Sequence, residues 1–133
     1  QFTSATCSIT QRAVIEAMDM DPSETYHMRD AFKQRRDYVI SRLQRMDGVI
    51  INKPEGAFYV FPNIGKLLGR KHSKGKIETA TDLCLYLLEF AEVALVTGEA
   101  FGSPECIRIS YATSLTVLED AMNRIEKALN QLH

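Results

Sequence analysis

The residues Ile107-Arg108-Ile109-Ser110-Tyr111 alternate apolar and polar types. In an extended strand that alternation puts Ile107, Ile109 and Tyr111 on one face and Arg108 with Ser110 on the other. A guanidinium carried on a stiff strand suits a carboxylate. It is planar, always charged and able to donate two parallel hydrogen bonds. The same pattern also describes an arginine on a solvated sheet face, paired with a nearby acid. The residues alone leave both readings open.

A second group is Gly56-Ala57-Phe58-Tyr59-Val60-Phe61, dense in aromatics. As a strand it would set Phe58 and Val60 on one face and Tyr59 and Phe61 on the other. Such rings could wall a ligand pocket or simply pack a core. The run Arg70-Lys71-His72-Ser73-Lys74-Gly75-Lys76 is basic. It lacks the Gly-x-x-x-x-Gly-Lys-Ser/Thr order of a phosphate loop and has no interleaved aromatics, so it reads as a solvated loop. His27, His72 and His133 are scattered without metal-ligand spacing. There is no Gly-x-Ser-x-Gly elbow. Glu99 and Glu105 flank a turn without the look of a catalytic pair. Cys7, Cys84 and Cys106 are odd in number and widely spaced, which argues against a disulfide framework or zinc site. They are expected to be reduced and mostly buried.

The elements that must position these groups follow from periodicity. Ser8 to Met20 carries Ile9, Ala13, Ile15, Ala17 and Met18, a short helix. Asp21 is a good N-cap, Pro22 suits the first helical position, and Glu24 stands three residues after the cap. Met28, Ala31, Phe32, Val39, Leu43 and Met46 continue at helical spacing to Gly48, so one long amphipathic helix is predicted. Val49-Ile50-Ile51 is a predicted strand, Lys53 to Gly56 a turn, and Ala57 to Phe61 a second strand closed by Pro62. A loop is predicted over Gly69 to Glu78. A helix is predicted from about Thr79 to Glu89, burying Leu83, Leu87 and Leu88. Val93 to Val96 and Ile107 to Tyr111 complete four strands. Ser114 caps a final helix whose Leu118, Ala121, Met122, Ile125, Ala128, Leu129 and Leu132 form one stripe. Four short strands need covering on their apolar face, and helices can supply that. The expected fold class is an α/β two-layer sandwich.

Bulk properties narrow the function classes. The chain of 133 residues fits one domain with a modest core. Apolar residues at 45% and charged residues at 25% match an ordinary globular protein. The net charge of −1 gives no general pull toward nucleic acid or an anionic membrane. No apolar run reaches the ~18 residues of a transmembrane helix, and QFTSATCSIT lacks the features of a signal peptide. With no initiator methionine at Gln1, the chain is expected to be part of a longer polypeptide.

Three segments together carry a family resemblance. Gln1-Phe2-Thr3-Ser4-Ala5-Thr6-Cys7-Ser8-Ile9-Thr10-Gln11 resembles the stretch leading into the small domain of fold-type I aminotransferases, which depend on pyridoxal phosphate (PLP). Gly56-Ala57-Phe58-Tyr59 resembles that family's mid-domain strand. Val93 to Gly102, continuing through Cys106 to Ser114, resembles its C-terminal strand pair and following helix. Order and spacing agree across essentially the whole chain, which looks most like the aspartate and prephenate aminotransferases of bacteria and plastids.

The resemblance implies that residues 1–20 are a connecting segment with a short helix, and residues 21–133 the C-terminal small domain. It implies that Arg108 grips the α-carboxylate of an amino-acid substrate and that Phe58 borders that substrate. It places Ser4 in a segment running near the neighbouring subunit's active site in a homodimer. Ala5 departs from an asparagine often found there, which puts a polar contact from that position in doubt. The family reaction moves an amino group between an amino acid of aspartate or glutamate type and a 2-oxo acid. It needs a lysine in a Ser-Lys loop to hold PLP. Lys33, Lys53, Lys66, Lys71, Lys74, Lys76 and Lys127 stand in no such motif. The resemblance therefore places the cofactor-holding residues upstream of Gln1. This chain alone is expected to bind no PLP, to hold no metal and to be inactive, with the missing large domain as its partner and a cytoplasmic or plastid location. The alternative is a non-catalytic carboxylate-binding or structural domain derived from the family. Which amino acid or oxo acid is used is not legible in these residues.

Overall fold

A computed structural model describes residues 5–133. It divides into two compact units, Gln1–Ala31 and Phe32–His133.

In the first unit helix α1 spans Ser8–Asp19, where a helix is predicted, and buries none of its residues. Cys7 precedes it and is exposed, against the expectation of buried thiols; none of the described residues of this unit is buried. The Asp21 carboxylate accepts from the Ser23 N–H at 2.8 Å, as an N-cap should. Pro22–Thr25 then forms a 3-10 turn, and helix α2 runs Tyr26–Leu43. The single helix expected from Pro22 is thus entered through a tighter turn, common at helix starts. It also ends earlier, and Gly48 follows at φ +80°, the left-handed conformation glycine adopts without strain. Met28 is exposed, whereas Val39, Ile40 and Leu43 are buried. The predicted apolar stripe meets a core from Phe32 onward, and Phe32 itself, partly buried, packs against the buried cluster.

The second unit contains strands β1 (Tyr59–Val60), β2 (Lys71–His72) and β3 (Gly75–Lys76), then helix α3 (Ala80–Ala91). Strands β4 (Val96–Thr97) and β5 (Ile107–Ser110) follow, and helix α4 (Leu115–Leu129) closes the chain. β5 is the central strand of an antiparallel sheet ordered β1-β5-β4. Tyr59 pairs with Ser110, Val60 with Ile109, Val96 with Arg108 and Thr97 with Ile107. The fold class is mixed α/β with small antiparallel sheets, in line with the sequence.

Details differ from the expected strand plan. Val49 to Ile51 is not a strand. Ile50 makes one bridge to Asn63, which in turn bridges Cys106. Pro62 has no N–H to extend the ladder from β1, so pairing beyond it survives only as these isolated bridges. The predicted loop from Gly69 to Glu78 contains the β2-β3 hairpin, with Lys71 opposite Lys76 and His72 opposite Gly75. Its base is fixed by Ile77 N–H to the Arg70 carbonyl at 2.9 Å and by Lys71 and His133 exchanging backbone bonds. Charge density hid this strand pair, because two-residue strands show no alternation to read. Leu88 is 51% exposed while Leu83 and Leu87 are buried. It lies five residues from Leu83, too far around the helix to share its face.

One hydrophobic cluster gathers inward residues of the helices and the central strand: Val39 and Leu43 of α2, Leu83 and Leu87 of α3, Ile107 and Ile109 of β5, Met122 and Ile125 of α4. The helix ends are anchored locally. Thr79 Oγ1 accepts from Asp82 N–H at 3.1 Å, and the Asp82 carboxylate accepts from Thr79 N–H at 2.9 Å, a complete capping box on α3. Ser114 caps α4 as predicted, accepting from Val117 N–H at 3.3 Å.

Candidate functional site

β5 positions Arg108. Ile107, Ile109 and Tyr111 are buried, so the strand is locked in register by its inward side chains. Arg108 is forced onto the opposite face with Ser110, as the alternation predicts.

On that face the neighbours are aromatic. Arg108 Cζ lies over the Phe101 ring at 4.7 Å from its centroid and over the Tyr59 ring at 5.5 Å. Tyr59 arrives by strand register. It stands opposite Ser110 and therefore diagonally across from Arg108, a separation of about 7–8 Å that long side chains close. Phe101 arrives by a turn. Gly98–Phe101 is a 3-10 segment directly after β4. The Gly98 N–H donates to the Cys106 carbonyl at 2.7 Å, and its carbonyl accepts from Ser103 N–H at 3.0 Å. A Cβ at Gly98 would lie 2.3 Å from the Ser103 carbonyl oxygen and 2.4 Å from that of Cys106, so the turn requires glycine. Behind Phe101 the Phe61 ring makes an edge contact, centroids 6.0 Å apart at 87°.

Electrostatically the guanidinium is left open. Among the described residues no carboxylate pairs with Arg108, and no acceptor hydrogen-bonds to it. The acids nearest in sequence are turned elsewhere. Glu99 accepts from the Thr81 hydroxyl at 3.0 Å and Glu105 from the Asn63 amide at 3.3 Å. Two other arginines of the second unit, by contrast, are tied to oxygen acceptors. Arg36 binds Asp37 and the Pro54 carbonyl, and Arg42 binds Tyr38, Asn123 and Glu126. A half-buried cation that keeps its donors unclaimed can take a carboxylate in a bidentate pair.

Phe58 is 54% exposed, and its ring meets the edge of Tyr59 at 5.6 Å rather than Arg108 itself. Ala57 has φ +65°, so the strand begins only at Tyr59 and the expected sharing of a face by Phe58 and Val60 does not arise. Ser4 lies outside the described residues. Phe101 and Tyr59 are the residues that sequence reasoning did not assign. Tyr59 belonged to the aromatic run read as a possible pocket wall, but its reach to Arg108 depends on cross-strand register, which that run does not carry. Phe101 had none, because its approach depends on a turn closing over β5.

Other potential chemistry is quiet. Burial pushes the Cys84 thiol up to about 11, with Glu99 adding to the shift, and burial also raises Cys106. Both are poor nucleophiles. No cluster of three or more metal-ligating side chains occurs among the described residues. No described helix is long and apolar enough to cross a membrane.

Comparison with known proteins converges on one family. The model for "Aminotransferase class I and II" matches residues 1–125. Aspartate aminotransferase of Pinus pinaster is 45% identical over 133 residues, covering 97% of this chain and 27% of that protein. The bifunctional aspartate aminotransferase and glutamate/aspartate-prephenate aminotransferase of Petunia hybrida is 43% identical, covering 97% and 28%. The crystal structure of aspartate aminotransferase from Rhizobium meliloti superposes with a TM-score of 0.92 at 42% identity, covering all of this chain and 34% of that one. The chain thus spans about a third or less of the length of these relatives. By the family match over residues 1–125, the chain belongs to the class I and II aminotransferases.

Proposed function

We propose that this chain is the substrate-carboxylate-binding part of a longer PLP-dependent aminotransferase that moves an amino group between an amino acid of aspartate or glutamate type and a 2-oxo acid. The observation that carries the reading is Arg108: a half-buried guanidinium, fixed on a central strand, with no anionic partner among the described residues. Its fork would bind the substrate α-carboxylate, fixing the orientation of the Cα–H bond for reaction. The rings of Tyr59 and Phe101 lie over the guanidinium and take none of its N–H donors. Aspartate aminotransferase relatives at 43–45% identity support the substrate class.

The family's cofactor carries the amino group when bound. The lysines of this chain do not fit its anchor. Lys33, Lys53, Lys66, Lys71, Lys74, Lys76 and Lys127 are all exposed, and Lys53, Lys74 and Lys76 pair with Asp37, Glu89 and Glu78. A Schiff-base lysine is activated by burial or by a cationic neighbour that lowers its pKa. We place the anchor in the rest of the longer polypeptide, with residues 21–133 as the small domain and a homodimer as the working form. The isolated chain is then inactive.

The test compares the full-length protein carrying this chain with its Arg108→Lys variant. Lysine keeps the charge and loses the fork. A bidentate pair worth roughly 1.5–3 kcal/mol corresponds to a fall in kcat/KM of about 10- to 150-fold. Cofactor absorbance should be unchanged. Turnover within about twofold of the parent would remove Arg108 from this role.

A further inference from the structure

The proposed clamp raises a physical difficulty. An arginine that must bind a carboxylate cannot be held in place by carboxylates, because they would occupy the same donors and cancel the charge. Yet an unrestrained arginine side chain loses about 2 kcal/mol of rotamer entropy when it is fixed. Something must hold Arg108 without neutralising it.

The structure shows what is available. Phe101 and Tyr59 lie against the Cζ of Arg108 from two different elements, at 4.7 and 5.5 Å. A ring face attracts a cation through its quadrupole and claims none of the strong acceptors a carboxylate would supply. The two rings are themselves braced. Phe61 meets Phe101 edge-on and Phe58 meets Tyr59 edge-on, with interplanar angles of 87° and 88°. Phe61, Tyr59 and Arg108 share the outward face of the β1-β5 pair, and the glycine-dependent turn delivers Phe101 onto it.

We propose that Phe101 and Tyr59 are positioning residues: they hold the Arg108 guanidinium by its charge, in the orientation the substrate carboxylate needs, and leave its N–H donors free. This inference rests on the carboxylate-clamp reading and goes beyond it by naming what sets the clamp. Glu99 and Glu105, close in the chain, are hydrogen-bonded to Thr81 and Asn63 and supply no competing carboxylate.

The test is a double-mutant cycle in the full-length enzyme, with L-aspartate and 2-oxoglutarate as the substrates. Phe101→Leu should lower kcat/KM for L-aspartate by about 5- to 10-fold, the range of one partly desolvated cation–π contact, and mainly through KM. Tyr59→Leu should act in the same direction. Phe101→Tyr, which keeps the ring, should stay within about threefold of the parent. In the Arg108→Lys background Phe101→Leu should cost less than about twofold, because lysine no longer uses the set orientation. A merely structural role for Phe101 would cost the same in both backgrounds.

The outcomes separate the two claims. An ineffective Arg108→Lys change overturns the clamp itself. An effective Arg108→Lys change whose fold-loss multiplies with that of Phe101→Leu overturns the positioning role and leaves the clamp standing. Should the leucine variants not fold, proton NMR of the unmodified full-length enzyme, with arginine as the labelled residue type, decides. The Arg108 side-chain protons should be shifted upfield by ring currents relative to exposed Arg45, and ordinary shifts overturn the proposal.

Discussion

The Tyr111 hydroxyl donates to the Ala57 carbonyl at 2.9 Å, and Ala57 carries φ +65°. A buried side chain from the end of β5 therefore pins a left-handed alanine at the entry to β1. The Tyr111 N–H reinforces it by donating to the Phe58 carbonyl at 2.8 Å. A left-handed alanine costs roughly 1–2 kcal/mol. Ala57→Gly should remove that strain and return part of the gain as unfolded-chain entropy, for a net stabilisation of about 0.5–1 kcal/mol. Tyr111→Phe should lose about 1 kcal/mol through the missing donor. Urea unfolding of both variants checks the signs, and a destabilised Ala57→Gly would show that the alanine methyl has a role the strain argument omits.

The Gly98 turn should tolerate no side chain. A Cβ would lie within 2.4 Å of two carbonyl oxygens, Ser103 and Cys106, both backbone and unable to swing aside. Gly98→Ala should cost about 1–3 kcal/mol, the range for forced overpacking. It should also displace Phe101 and so weaken substrate binding in the full-length enzyme. Thermal unfolding measured beside the KM for L-aspartate reports both effects, and an alanine variant normal in both would show that the turn can open without cost.

Acid should loosen the start of α3. Backbone N–H donation from Thr79, with further donation from Glu78, holds the Asp82 carboxyl below its usual range. Its folded pKa is thus lower than its unfolded one, and the stability it supplies is complete above about pH 4. That stability is lost as pH falls through the folded value. Arg36 lowers Asp37 and Arg70 lowers Asp47 in the same sense, so acid sensitivity is shared. Asp82→Asn should flatten the acid limb of a stability-against-pH curve, and an unchanged slope would count against the capping box. Thr79→Ala should cost about 1 kcal/mol at neutral pH.

The three thiols should react in a fixed order. Backbone N–H groups of Ile9 and then Thr10 lower Cys7, which is exposed. Burial raises Cys106, and it pushes Cys84 up to about 11. Since the thiolate is the nucleophile, iodoacetamide at pH 7.5 should modify Cys7 first and Cys84 last. Peptide mass spectrometry over time reads the order, and early labelling of Cys84 would mean that the packing between α3 and the Glu99 turn opens readily.

Local pattern made much of this molecule legible. The spacing of Leu118, Met122, Ile125 and Leu129 fixes the inward face of α4, and Ser114 fixes its start, because both signals act within one or two helical turns. The alternation in Ile107 to Tyr111 likewise sets Arg108 on the face opposite the core, since a strand has only two faces. The family resemblance extended that reading to a carboxylate ligand. Tertiary structure alone decided what surrounds the guanidinium. Tyr59 reaches it through cross-strand register, and Phe101 through a turn that closes on the Ser103 and Cys106 carbonyls. Both depend on pairings between segments some ten to fifty residues apart, which no local period encodes. The same holds for the loss of the predicted strand at Val49 to Ile51 and for the hairpin from Lys71 to Lys76. A short strand exists only where a partner offers its hydrogen bonds, and the partner is chosen by packing.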